Sequence, residues 1–212
     1  MGEKGLSPEN GSHILHKSAN GAFDIIALAA SAGGLKALSQ VLTALPSDFP
    51  ASIVVVQHLD PRHRSLMADI LSRRTALQVK QAEEGNRLTA GTAYIAPPNR
   101  HLLVNPDSTL SLSQSELVHF VRPSADLLFE SVAASYKDRA IAVVLSGTGS
   151  DGSMGVRAIK KMGGTVIVQD EKTAEFFGMP GAAVQTGCVD FILPLDEIPS
   201  ALVTLVVKGD AP

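Results

Sequence analysis

Residues 24–35 read DIIALAASAGGL, an apolar run that stops at Ser31 and resumes after two glycines with helical spacing. A run apolar at nearly every position fits a strand covered on both faces, as in a parallel sheet. The glycines then allow a sharp turn into a helix whose inward stripe is Leu35, Leu38, Val41, Leu42 and Leu45. SIVVVQH, LQVKQA, AIAVVLSG, TVIVQD and VDFILP are further strand candidates, separated by amphipathic stretches such as the one carrying Leu66, Met67, Ile70 and Leu71. Ser124, after Arg122-Pro123, is the expected N-cap of a helix turning Leu127, Leu128 and Val132 inward. This alternation predicts an α/β fold, doubly wound, with a mostly parallel sheet flanked by helices. Residues 92–114, TAYIAPPNRHLLVNPDSTLSLSQ, break the rhythm: their prolines and Asn-Pro-Asp turn separate short alternating runs, which predicts an appended antiparallel hairpin.

Composition narrows the function classes. With 212 residues, a net charge of -3 and 45% hydrophobic residues, the chain is expected to form one large core. No basic run offers a footprint for nucleic acid or an anionic membrane, and no segment has the roughly twenty apolar residues of a membrane span. The expected compartment is the cytoplasm. Cys188 stands alone, so neither an intrachain disulfide nor a cysteine zinc cluster can form, and a small buried hydrophobe is its expected role. Residues 1–22 read as a flexible tail, 23–207 as one globular domain and 208–212 as a short C-terminal tail.

In open parallel sheets, ligands bind beyond the carboxyl ends of the strands. Three such ends carry reactive side chains: DIIALAA delivers Ser31, SIVVVQ delivers His58, and AIAVVLSG runs into a loop holding Asp151. Each has a plain structural reading, Ser31 as a helix cap, His58 as a polar strand terminus and Asp151 as a turn residue between glycines. Together they supply the nucleophile, base and orienting carboxylate that acyl transfer needs. Gly33 and Gly34 are expected to keep bulk away from the substrate, and the free N–H groups of the following helical turn to favour negative charge. A phosphate cradle at Ser-Ala-Gly-Gly ranks lower, because neither Gly-x-Gly-x-x-Gly nor a Gly-Lys-Ser/Thr ending occurs there.

From about Ile25 to Val206 the chain resembles the catalytic domain of the chemotaxis protein-glutamate methylesterases, the CheB family. The matching text is ASAGG, VVVQHL, YIAPPNRHLLV, RPSADLLFESVA, LSGTGSDGSMGVRAIKKMGG, VQDEKTAEFFGMPGAAV and VDFILPL. The resemblance places the family's triad on Ser31, His58 and Asp151. It implies hydrolysis of γ-glutamyl methyl esters on the cytoplasmic region of methyl-accepting chemoreceptors, and deamidation of receptor glutamines. Ala32, Gly33 and Thr148 are expected at the oxyanion or substrate site, with Arg122 as a further cleft residue. No cofactor and no metal is implied.

Two departures stand out: Ala29 replaces a usual glycine and Thr148 a common methionine. A regulatory receiver domain is the expected partner, in the same parent protein or separate, since the tail before Phe23 is too short to be one. Arg62, His63 and Arg64 are expected to hold acidic side chains of a receptor helix, and the resemblance implies that Met179-Pro180 belongs to a loop near the active edge. Arg100 and His101 are cleft candidates, with a structural role favoured for His101. His13, His16 and His119 have no constellation around them. The rival reading is a CheB-like module that binds a receptor or signalling partner with weak or no turnover.

Overall fold

The computed structural model describes residues 23–58 and 65–208. Strand β1 (Ile25–Ala30) leads into α1 (Gly34–Thr43), followed by β2 (Ser52–Gln57), α2 (Met67–Ser72), β3 (Gln78–Gln81) and β4 (Thr92–Ile95). Then come β5 (His101–Val104), β6 (Leu110–Ser113), α3 (Ala125–Tyr136), β7 (Ala140–Val144) and α4 (Ser153–Lys161). Strand β8 (Thr165–Gln169), α5 (Gly178–Gln185), β9 (Phe191–Leu193) and α6 (Ile198–Lys208) complete the chain.

Seven strands form one parallel sheet in the order β3-β4-β2-β1-β7-β8-β9, and β5 pairs β6 antiparallel. The expected doubly wound sheet and hairpin are therefore present, with one reassignment. TAYI lies in the parallel sheet as β4 rather than in the hairpin, because all four residues are buried between β2 and β3. The hairpin is made by HLLV and LSLS alone.

Alternation along β1 explains the two layers. Ile26, Leu28 and Ala30 face a core shared with Leu38 and Leu42 of α1 and Leu202 of α6, whereas Ile25, Ala27 and Ala29 face Leu128 and Phe129 of α3. Both faces are dry, so both registers of β1 must be apolar. Helix α1 buries Leu38, Val41 and Leu42 of its predicted stripe and half-buries Leu35, while Leu45 is buried just beyond the helix end. Leu66 departs from its predicted stripe and is 56% exposed, because it occupies the N-cap position just outside α2.

The chain winds outward from β1 in both directions, to β2 on one side and β7 on the other. Neighbouring crossovers therefore part at β1, leaving a crevice at the carboxyl ends of these central strands. Register aligns the ends: Ala30 lies opposite Gln57, and Ala29 opposite Val144.

Candidate active site

Ser31 is the first residue beyond β1, and His58 the first beyond β2. The two segments are tied by a hydrogen bond from the His58 N–H to the Ala30 carbonyl, 3.1 Å. Asp151 lies in the loop between β7 and α4, and its carboxylate Oδ2 is 2.8 Å from His58 Nε2. Sheet topology thus brings the three expected residues to one edge. Ser31 does not cap α1, whose N-cap position is Gly33, and its hydroxyl makes no hydrogen bond to another described residue.

Asp151 is 3% exposed and accepts four hydrogen bonds. Oδ1 receives the Ser124 hydroxyl at 2.8 Å and the Asp126 N–H at 3.1 Å; Oδ2 receives the Ala125 N–H at 2.6 Å and His58. Burial alone would push its carboxyl upward. The bonds from His58, Ala125, Asp126 and Ser124 outweigh burial and hold it below the ordinary aspartate value. The Ala125 and Asp126 donors come from the first turn of α3, where N–H groups have no helical partner and favour an anion. An ionised Asp151 only accepts, so His58 Nε2 carries the proton of this bond, and in the neutral ring Nδ1 holds the lone pair.

His101 supports this arrangement from behind. It is fully buried, accepts the Ser124 N–H on Nδ1 at 3.1 Å and donates from Nε2 to the Glu116 carbonyl at 3.0 Å. Burial lowers its pKa below the ordinary histidine value, which favours the neutral tautomer these two bonds require. Both ring nitrogens are thus engaged by backbone groups of the fold.

A family model described as CheB methylesterase matches residues 26–202. The chain belongs to the CheB methylesterase family. A Leptospira interrogans relative is 40% identical over 183 residues, covering 86% of this chain and 95% of its own length. The protein-glutamate methylesterase/protein-glutamine glutaminase of Moorella thermoacetica is 42% identical over 187 residues, covering 86% of this chain. The chain spans only 44% of that relative's length. The crystal structure of the Thermotoga maritima CheB methylesterase catalytic domain matches with a TM-score of 0.84 and 38% identity, covering 87% of this chain and 99% of that one.

The glycines of this CheB-family site make room for the protein's own side chains. A Cβ on Gly34 would stand 2.0 Å from Gln57 Oε1, and one on Gly33, whose φ is +75°, 2.7 Å from Ser146 Oγ. A Cβ on Gly147 would lie 2.9 Å from that of Ser31 and 2.4 Å from Met179 Sδ. The last contact places Met179 of α5 at the active edge.

The Ser31 N–H is spent on the Ser146 carbonyl at 3.0 Å. Among the described residues, the N–H groups of Ala32, Gly33 and Thr148 have no partner. Thr148 exposes its side chain, and Ala29 is wholly buried in β1.

Arg122 spends its guanidinium on structure. Nε and Nη2 donate to Asn99 Oδ1 at 3.0 and 2.7 Å, and Nη1 to the carbonyls of Gln114 and Ser115 at 3.1 and 2.6 Å. Arg100 is exposed. Arg62, His63, Arg64, His13 and His16 lie outside the described residues. Cys188 is partly exposed rather than buried, and no cluster of metal-ligating side chains occurs among the described residues.

Gln57 was invisible as a site residue in the sequence. Its Nε2 donates to the Ser31 carbonyl at 2.7 Å and the His58 carbonyl at 3.0 Å, bracing the two strand ends together. The available signal was a lone amide closing the apolar run SIVVV. Gln57→Leu is expected to lower kcat on the order of 10- to 100-fold with KM near wild type, since small misplacements of reacting groups cost that much. Steady-state kinetics on a methylated receptor fragment checks this, and an unchanged kcat removes the brace.

Among the described residues, His119 meets a single carboxylate, Asp126. Its Nε2 lies 3.2 Å from Oδ2 of the buried Asp126, although that oxygen receives no well-aligned hydrogen bond. Burial raises the Asp126 pKa above its ordinary value.

His119 and Phe120 form a two-residue turn with φ of 47° and 63°, closed by paired bonds between Val118 and Val121. Such turns favour glycine, yet Phe120 stands there 95% exposed. Left-handed strain costs about 1–2 kcal/mol, whereas glycine's extra unfolded-state freedom costs about 0.5–1 kcal/mol. Phe120→Gly should therefore raise Tm by about 2–4 °C. Calorimetry checks this, and a lower Tm would show that the exposed ring stabilises the fold.

Proposed function

We propose that this chain is a serine hydrolase that removes methyl groups from γ-glutamyl methyl esters of methyl-accepting chemoreceptors, with Ser31, His58 and Asp151 as its catalytic residues. The observation that carries this reading is the 2.8 Å bond between His58 Nε2 and the buried Asp151, beside a serine at the adjacent strand end. Family membership supplies the substrate class. Residues 23–207 form the catalytic unit.

Ser31 Oγ attacks the γ-carbonyl carbon while His58 Nδ1 takes its proton. The carbonyl oxygen becomes an oxyanion, which the free N–H groups of Ala32, Gly33 and Thr148 are available to receive. Collapse breaks the bond to the methoxy group, and His58 returns the proton to release methanol. Water then attacks the acyl-enzyme, with His58 Nδ1 accepting its proton and passing it to Ser31 Oγ as the glutamate leaves. Asp151 keeps the proton on Nε2 and stabilises the imidazolium. Attack through Nδ1 reverses the ring-nitrogen roles of the familiar protease triad, because Asp151 here approaches Nε2. A receptor glutamine would follow the same path with ammonia as leaving group.

Arg122 serves in this scheme by bracing the loop at Asn99. The regulator we propose is a response-regulator receiver domain, in the same parent protein or separate, and the compartment is the cytoplasm. Among the described residues no helix is long and apolar enough to cross a membrane. The test is methanol release from a methylated receptor signalling region. A folded chain that releases none leaves the non-catalytic binding module as the reading.

A further inference from the structure

A groove of about 720 Å³ opens at Ser31 and Gln57 and runs along the outer side of α1 toward α2. Leu35, Ser39 and Thr43 line it at four-residue intervals, one stripe of the helix. From Leu35 to Thr43 this stripe extends about 12 Å at the helical rise of about 1.5 Å per residue. The far end is closed: Thr43 Oγ1 donates to the Arg74 carbonyl at 2.9 Å, and Arg74 Nη1 to Ser39 Oγ at 3.3 Å. Met67, 5% exposed, contributes apolar surface from α2. A channel of that length holds about four extended residues or two helical turns.

Its charge is one-sided. Among the described residues, Lys36 and Arg74 are the ionisable side chains lining the groove and no carboxylate lines it with them, although the whole chain carries a net charge of -3. Both cations are exposed, and Arg74 keeps donors beyond the one spent on Ser39 to meet an incoming chain. Building on the methylesterase reading, we propose that the groove seats the acidic stretch of the substrate protein flanking the scissile ester, with Lys36 and Arg74 selecting it. The nucleophile lies at the open end, so a segment held along α1 carries the ester to Ser31. An acidic occupant answers the two cations, and its alkyl stems cover Leu35 and Met67. Such pairs act on encounter and on KM, and are screened by salt.

Binding and turnover are measured separately. Three synthetic peptides each carry one γ-glutamyl methyl ester, flanked by glutamates, by glutamines or by lysines. Fluorescence anisotropy with the Ser31→Ala chain reads docking without hydrolysis. The glutamate-flanked peptide should bind about tenfold more tightly than the glutamine-flanked one, with the difference lost at high salt. In the Lys36→Glu/Arg74→Glu variant made in that background, preference should move to the lysine-flanked peptide. With Ser31 intact, the same charge reversal should raise KM for the glutamate-flanked peptide about tenfold while kcat holds.

Equal binding of the acidic and neutral peptides, or an unchanged preference after charge reversal, overturns the inference. It is equally overturned if the acidic peptide does not bind and the charge reversal instead disrupts self-association, which assigns the groove to a second copy. Absent methanol release with the binding preference intact defeats the methylesterase reading and leaves the groove assignment standing.

Discussion

Ser31→Ala is expected to reduce methanol release from methylated receptor by several orders of magnitude, with the fold unchanged. The size of the loss follows from the way nucleophile, base and carboxylate act as a unit: removing one forfeits most of what all three supply. The unchanged fold follows from the geometry. Gly33 occupies the N-cap position of α1, and the hydroxyl bonds no other described residue. The Cβ that packs beside Gly147 remains in alanine. Stability should therefore stay within about 0.5 kcal/mol of wild type. Measuring methanol by gas chromatography and unfolding by calorimetry on the same preparation checks both halves. Near-normal turnover in the folded variant would remove Ser31 as nucleophile.

Asp151→Asn should cost on the order of 10⁴-fold in kcat, the loss found when the orienting carboxylate of a protease triad becomes an amide. The amide cannot stabilise an imidazolium by charge, and its NH₂ can draw the wrong ring nitrogen. Unlike a simple turn aspartate, Asp151 should also cost stability when replaced. Its two oxygens accept four bonds, and an asparagine offers one oxygen. With the remaining oxygen facing Ser124 and Asp126, the Ala125 N–H meets an NH₂ group. A buried donor left without an acceptor costs about 1–3 kcal/mol, or about 2–4 °C in Tm for each kcal/mol.

The pH dependence gives this prediction a sign. The folded Asp151 carboxyl lies below its ordinary value, so it stabilises the fold at pH above that ordinary value, and the contribution is lost as pH falls through the folded pKa. The Tm gap between wild type and Asp151→Asn should therefore be widest near neutrality and close on acidification. A gap that does not change with pH would mean that the carboxylate's charge contributes nothing. Full activity in the variant would remove Asp151 from the mechanism.

The sheet and the triad candidates were legible because their signals are local. Runs such as DIIALAA and AIAVVLSG are apolar on both faces only if both faces are covered, and a polar side chain at the end of such a run must point into the crevice beyond it. Ser31, His58 and Asp151 could be read from that logic. The assignment of TAYI could not, because four alternating residues fit a hairpin or a parallel strand equally, and burial between β2 and β3 decides it. Nor could the sequence separate Ser31 as a cap from Ser31 standing free, a distinction that depends on where the backbone turns at Gly33.

The rest of the site joins residues far apart in the chain. Ser124 reads as a helix cap, and it is one, with its hydroxyl accepting from the Leu127 N–H at 3.5 Å; only the fold shows that the same hydroxyl also bonds Asp151 across 27 positions. His101 reaches Ser124 across 23 positions, and Gln57 reaches the Ser31 carbonyl across 26. Arg122 reads as a cleft residue, and only the fold shows its guanidinium donating to Asn99, Gln114 and Ser115. By itself the sequence determined the layered α/β architecture and the strand ends that carry reactive groups, because periodicity and strand termination are properties of short segments. Tertiary structure alone decided which polar groups meet, which ring nitrogen of His58 faces Asp151 and which glycines are crowded by neighbours, because hydrogen bonds require approach within about 3 Å and only packing brings distant segments that close.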